Sequence, residues 1–354
     1  MTLMDEFVLD YEIFDLGDVT LQGGATLRDA KLAYKTFGEL NADRSNAIVY
    51  PTWYSGFHWD NEWLVGEDMA LDPRKYFIII PNMLGNGLSS SPSNTPPPHD
   101  KANFPKVTFY DQVEAQHKLV AEHFGIETLP LVTGWSMGAG QTYQWAVSHP
   151  EMVQRAAPFC GSSKTSEHNF VFLEGVKAAL TGGDSFQGGF YDAKPEDNLR
   201  RTGRVYAGWG FSQAFFWDRV YTDMGHSHRL GVDLAFPTLE DFLVQYWEGH
   251  FLDRRDVNDL LSMLWTWQHG DIGQTPGFDG DHVKALQSIK AKLIAMPAVK
   301  DLYFPPEDEE YASQYIPNGE VRVIPGVWGH FAGSGDCAVD RQWIDDVIRE
   351  LLAS

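Results

Sequence analysis

A serine hydroxyl is a poor nucleophile at neutral pH unless a base accepts its proton and an acid group orients that base. One serine of this 354-residue chain sits where such chemistry needs it. Gly134-Trp135-Ser136-Met137-Gly138 is a G-x-S-x-G pattern, preceded by the apolar run Leu131-Val132-Thr133 and followed by a helical pattern from Met137 to Ser148. Strand, sharp turn and helix in that order lift the serine side chain clear of a sheet edge. Glycines at 134 and 138 leave room where strand and helix approach closely. The N–H of Met137, at the positive end of the new helix, points where charge would gather on an attacked carbonyl oxygen.

In such a site the acid and then the base follow the serine along the chain. His330 lies in Val327-Trp328-Gly329-His330-Phe331-Ala332, just after the apolar run Val321–Ile324, in a loop able to reach over the sheet edge. Of the twelve histidines, only His282 and His330 come late enough, and His282 precedes the run Lys292–Met296. Asp301 follows that run, at the strand end where open α/β sheets gather reactive groups. Asp308 and Asp336 are rivals for the acid role. A second oxyanion donor is expected from the loop after an early strand, Pro51-Thr52-Trp53-Tyr54-Ser55-Gly56; position favours the N–H of Tyr54, with Trp53 as the alternative.

Other chemistry finds little to stand on. Asp223, His226 and His228 form a D-x-x-H-x-H cluster, but no further ligand has a zinc-like spacing, so it reads as a loop and no metal site is assigned. No cofactor is called for. Cys160 and Cys337 make no disulfide framework, and a reducing compartment follows. Residues Met1 to Asp10 carry Asp5, Glu6 and Asp10 and no apolar core of a leader; no run approaches the roughly 18 apolar residues of a membrane span, so a cytoplasmic protein is expected. With 27 Lys and Arg against 49 Asp and Glu, a net charge of −22 repels nucleic acid and anionic lipid and leaves a small-molecule substrate.

The elements that must hold these residues alternate in type. Ala47–Tyr50, Tyr76–Ile80, Leu129–Thr133, Lys292–Met296 and Val321–Ile324 read as buried parallel strands, and Asp111–Phe124 and Met137–Ser148 as helices between them. The fold class is α/β, a mostly parallel doubly wound sheet. From 165 to 285 strong strand runs give way to glycine and aromatics, including Tyr206, Trp209, Phe211, Phe215, Trp217, Tyr246, Trp247 and Trp267. This stretch is expected to be a mainly helical lid inserted in a core of residues 1–164 and 286–354, its aromatics packing it down and a few of them lining the pocket.

At these residues the chain resembles the homoserine O-acetyltransferase family of the α/β-hydrolase superfamily. The likeness is carried by Gly134–Gly138 continuing through Gln141 to Trp145-Ala146-Val147 and Pro150, by Asp301-Leu302-Tyr303-Phe304-Pro305-Pro306, by Gly329-His330, and by Pro81–Gly87 with Ser89–Pro92. It implies an α/β-hydrolase fold, a triad of Ser136, Asp301 and His330, an oxyanion hole from Tyr54 and Met137, and a homodimer formed through the lid. Two places depart from the family: Gly203–Trp209 has no arginine where the family's lid motif does, and Phe331 follows His330 where the family has aspartate. The chain is thus similar to a shorter branch of hydrolases and acyltransferases. Two activities follow. One is hydrolysis of an ester, thioester or amide through an acyl-serine. The other is transfer of the same acyl group, taken from acetyl-CoA or another thioester, to an alcohol.

Overall fold

Apolar runs with no polar face to offer water become the inner strands of a sheet. In the computed structural model, which describes residues 10–354, four of the five runs do so here, whereas Val321–Ile324 gives only Val321 to a half-buried edge strand, Gly319–Val321; residues 1–9 of the leader reading lie outside the described residues. The strands are β1 (Glu12–Thr20), β2 (Thr26–Phe37), β3 (Ala47–Val49), β4 (Phe77–Pro81), β5 (Leu131–Trp135), β6 (Arg155–Phe159), β7 (Gly225–Ser227), β8 (Val232–Leu234), β9 (Lys292–Ala295) and β10 (Gly319–Val321). Eight of them form one sheet in the order β1-β2-β4-β3-β5-β6-β9-β10. From β4 onward all neighbours are parallel, while β1 pairs with β2 and β2 with β4 antiparallel.

Every residue of β3, β4 and β5 is buried. Alternate residues feed two cores: Ile48, Ile78, Ile80 and Leu131 face one, Ala47, Val49, Ile79 and Val132 the other. The second core is covered by α1 (Phe109–His117) and α2 (Met137–Ser148), through Val113, Ala115, Tyr143 and Trp145. The first is covered by the C-terminal helix Ala338–Leu352, through Ile344, Val347 and Ile348, and by the inserted segment.

Boundaries differ from expectation where local chemistry intervenes. Pro130 has no N–H for a ladder, and β5 starts one residue later, with Leu129 making only an isolated bridge to Val153. The helix expected over 111–124 begins at Phe109, capped by Thr108 and Asp111, and widens into a π-helical turn over Lys118–His123 before Gly125 at φ +63°.

After β6 the chain leaves the sheet, to return at β9. In between stand helices α3 (Glu167–Thr181) and α4 (Glu196–Gly210), a π-helical turn Phe242–Glu248 running into Gly249–Leu252, and α5 (Val257–Gln268). The antiparallel pair β7–β8, three residues each, is a small hairpin within this segment that the sequence patterning did not indicate. Aromatic contacts fasten the segment down: Phe211 stacks on Phe331 at 4.6 Å and Trp247 meets Phe331 edge-on at 5.2 Å, centroid to centroid.

Candidate active site

Ser136 sits between β5 and α2 at φ 58° and ψ −121°, a conformation that non-glycine residues adopt only where their surroundings enforce it. The enforcement is visible. The Ser136 N–H bonds the carbonyl of Phe159 at the end of β6. A Cβ on Gly134 would lie 2.4 Å from the backbone of Gly138, and one on Gly138 would lie 2.8 Å from the carbonyl oxygen of Pro51. Gly161, which the sequence did not single out, is as tight: its Cβ would fall 2.6 Å from the Ser136 carbonyl oxygen and 2.4 Å from Ala139. No local pattern marks Gly161; only the meeting of two strand ends shows its need.

His330 stands in a short 3₁₀ turn, Gly329–Gly333, beyond the last strand. Its Nδ1 lies 2.8 Å from Oδ2 of Asp301. The other carboxylate oxygen of Asp301 accepts the N–H groups of Tyr303 (3.1 Å) and Phe304 (3.0 Å). Asp301 is 6% exposed and His330 2%. The imidazole is walled by the rings of Tyr303 (4.5 Å), Trp135 (5.1 Å) and Phe304 (5.5 Å). Trp135, neighbour of the serine, donates its indole N–H to the His330 carbonyl at 3.1 Å, so the turn bearing the imidazole is fastened to the turn bearing the hydroxyl.

Ser136 and His330 line one narrow cavity of about 20 Å³ with Trp53, Tyr54, Tyr206, Trp247, Phe251 and Phe331. That is room for roughly one water molecule. Among the described residues the Ser136 hydroxyl has no hydrogen-bond partner, so no direct bond joins it to the imidazole. The N–H groups of both Trp53 and Tyr54 lack a protein partner among those residues, and the N–H of Met137, opening α2, has none within its helix.

The rivals lie elsewhere. Asp336 accepts from Arg229 and Tyr246, each at 2.9 Å. Asp308 sits in the helix Pro306–Ser313, its carboxyl pushed up to about 6 by burial and by the neighbouring Glu307 and Asp301. His282 reaches Ser163 at 3.0 Å. His226 of the D-x-x-H-x-H cluster bonds exposed Asp233 at 2.8 Å. Two lid arginines are taken up by neighbours: Arg204 bonds Glu248 and Glu240, and Arg201 the Gly182 carbonyl. Of the lid aromatics, Tyr206, Trp247 and Phe251 reach the cavity. So does His250, whose Nε2 lies 2.9 Å from the Ser55 hydroxyl across 195 residues of sequence, a separation no local pattern bridges.

Comparison with known proteins fits this geometry. A family model described as alpha/beta hydrolase fold matches residues 55–333. An ethyl acetate hydrolase of Pseudomonas veronii is 40% identical over 347 residues, covering 97% of this chain and 96% of that protein. The crystal structure of an acetylester hydrolase from Corynebacterium glutamicum superposes with a TM-score of 0.90 at 39% identity, over 97% of this chain and 96% of that one. A homoserine O-acetyltransferase of Trichormus variabilis is 28% identical over 336 residues, covering 92% of this chain and 89% of that protein. The resemblance to that branch therefore stands beside a stronger one to esterases.

Proposed function

The chain belongs to the α/β-hydrolase fold family and is a serine hydrolase, and from that premise we propose that it hydrolyses small esters of short acyl chains through an acyl-serine on Ser136. The observation that carries this reading is the buried Asp301–His330 pair beside a strained serine in one cavity of about 20 Å³. Close aromatic walls from Trp53, Tyr206, Trp247, Phe251 and Phe331 favour an acetyl-sized acyl group over a long chain, and the relatives named for ethyl acetate and acetyl esters agree with it.

In this reading the Ser136 hydroxyl attacks the ester carbonyl and its proton passes to Nε2 of His330. Asp301 holds Nδ1–H, fixing the tautomer that leaves Nε2 basic and stabilising the imidazolium. The N–H groups of Tyr54 and Met137 take the oxyanion. The tetrahedral centre collapses, the alcohol leaves with the proton from His330, and water repeats the sequence to free the acid. Residues 165–285 serve as the lid over the core of 1–164 and 286–354. A dimer through that lid is part of the proposal, supported by the 87% exposure of Trp217; light scattering that reports a monomer would refute it.

Steady-state hydrolysis of a p-nitrophenyl ester series tests the reading. Acetate is expected to outrun octanoate, and Ser136→Ala to lose about 10⁴-fold or more. Retention of activity in Ser136→Ala would end it. The 28% identity to an acetyltransferase motivates a second arm. Acetyl-CoA is supplied with and without an alcohol; consumption that requires the alcohol would make the protein a transferase.

A further inference from the structure

The loop after β3 is held by two different parts of the molecule. As far as Thr52 the core holds it: Thr52 N–H bonds the Pro81 carbonyl (3.2 Å), the Thr52 carbonyl accepts from Gln141 (2.9 Å), and the Asn61 amide bonds the carbonyls of Tyr50 and Pro51 (3.1 Å each). Beyond it the chain turns sharply, Gly56 N–H closing on the Trp53 carbonyl at 2.9 Å with Tyr54 and Ser55 as the central residues. Ser55 has φ +64°. The second central position of a turn accepts a positive φ readily from glycine or asparagine, and a serine there must be held.

The lid does the holding. His250 Nε2 lies 2.9 Å from the Ser55 hydroxyl, and Arg255 donates from Nε to the Ser55 carbonyl at 3.0 Å. Both are backed. The His250 ring lies parallel to Trp53, 8° between planes and 6.4 Å between centroids, and Trp53 packs 4.4 Å from Trp135. The Arg255 guanidinium sits 4.8 Å over Phe57 and 3.7 Å from Asp60. Burial, with Arg255 and Arg229 near, holds the His250 imidazole well below its ordinary range, so it stays neutral.

We infer that His250 and Arg255 are positioning residues by which the lid, gripping Ser55 at both its hydroxyl and its carbonyl, sets the direction of the Tyr54 N–H in the oxyanion hole. The inference rests on the proposed oxyanion role of Tyr54. Without the grip the turn relaxes toward negative φ at Ser55, and an oxyanion donor displaced by about 1 Å costs up to about 100-fold in rate.

The test is a kinetic cycle on p-nitrophenyl acetate. His250→Asn and Arg255→Lys, each verified as folded by its melting curve, are expected to lower kcat about 10- to 100-fold with little change in KM, because the donor acts on the transition state. Ser55→Gly accepts the positive φ unaided. In that background His250→Asn is expected to have no further effect on kcat. Equal loss in both backgrounds, or unchanged kcat in the folded Arg255→Lys enzyme, overturns the inference. Should His250→Asn not fold, Arg255→Lys decides. If Ser136→Ala keeps its activity, the parent reading has failed; if Ser136→Ala is dead while both clamp variants turn over normally, only the clamp has.

Discussion

Asp301 uses its two oxygens for two tasks. Oδ1 is occupied by the N–H groups of Tyr303 and Phe304, which fix the carboxylate in place; Oδ2 is thereby aimed at Nδ1 of His330. Asp301→Asn changes only the second relation. An amide nitrogen facing Nδ1 as a donor forces the imidazole into the tautomer that has no lone pair for the serine proton. We expect kcat to fall about 10⁴-fold while the fold persists. Circular dichroism and ester kinetics on the same sample check this, and a loss below tenfold would argue against the role. At this scale the candidate site was readable because each proposed catalytic residue carries a short chemical context: strand and turn around Ser136, a strand end before Asp301, a glycine-led loop at His330. Ser55 and His250 have no such context. Each is ordinary in its own segment, and their relation exists only once the lid lies on the core.

At the scale of elements, the hairpin β7–β8 is joined to the core by a buried cation. Arg229 reaches Asp336 (2.9 Å), Asp60 (3.4 Å) and the Tyr246 hydroxyl (3.0 Å), with 3% of its side chain exposed. Arg229→Met leaves Asp336 buried without its cation and Asp60 with only Arg255 at 3.7 Å, and the expected loss of stability is about 3–5 kcal/mol by urea unfolding. Adding Asp336→Asn to it should recover part of that loss; a single variant within about 0.5 kcal/mol of the parent would show that the cluster is not holding the lid. The inner strands were legible because burial on both faces writes an unbroken apolar run. β1 and β2 were not. β1 buries only Leu16 fully and its runs are broken by charge, so its pairing with β2 is dictated by the open edge of the sheet rather than by its own pattern. β7 and β8 are too short, at three residues each, to carry any period.

For the whole molecule, three acids are tuned the same way. Burial raises Asp259 and Glu309 to about 8 and Glu62 to about 7, against ordinary values near 4. The folded state therefore binds protons that the unfolded chain has released, and stability from these groups falls as pH rises from about 4 to 8. Histidines act oppositely. Burial lowers His58 to about 4 and holds His250 well below its ordinary range, so between about 4 and 6.5 the unfolded chain takes up protons the folded one refuses, and stability rises with pH. The two trends offset each other below about 6.5, and above it only the acids remain. Stability is expected to decline from about pH 6.5 to 8, by roughly 1.4 kcal/mol per pH unit for each acid fully in that regime, and the melting temperature to fall with it. Glu309→Gln, keeping a partner for the Tyr143 hydroxyl, should flatten the decline. A melting temperature that climbs steadily to pH 8 would contradict the assignment.

The cavity at Ser136 has one further consequence. Its aromatic walls, Trp53, Tyr206, Trp247, Phe251 and Phe331, come from both the core and the inserted segment, and at rest they enclose room for about one solvent molecule. An ester needs more room than that, so its entry has to displace the solvent and part some of these rings. If that parting limits turnover, loosening the aromatic contacts above the serine raises the rate more than sharpening the chemistry beneath them does.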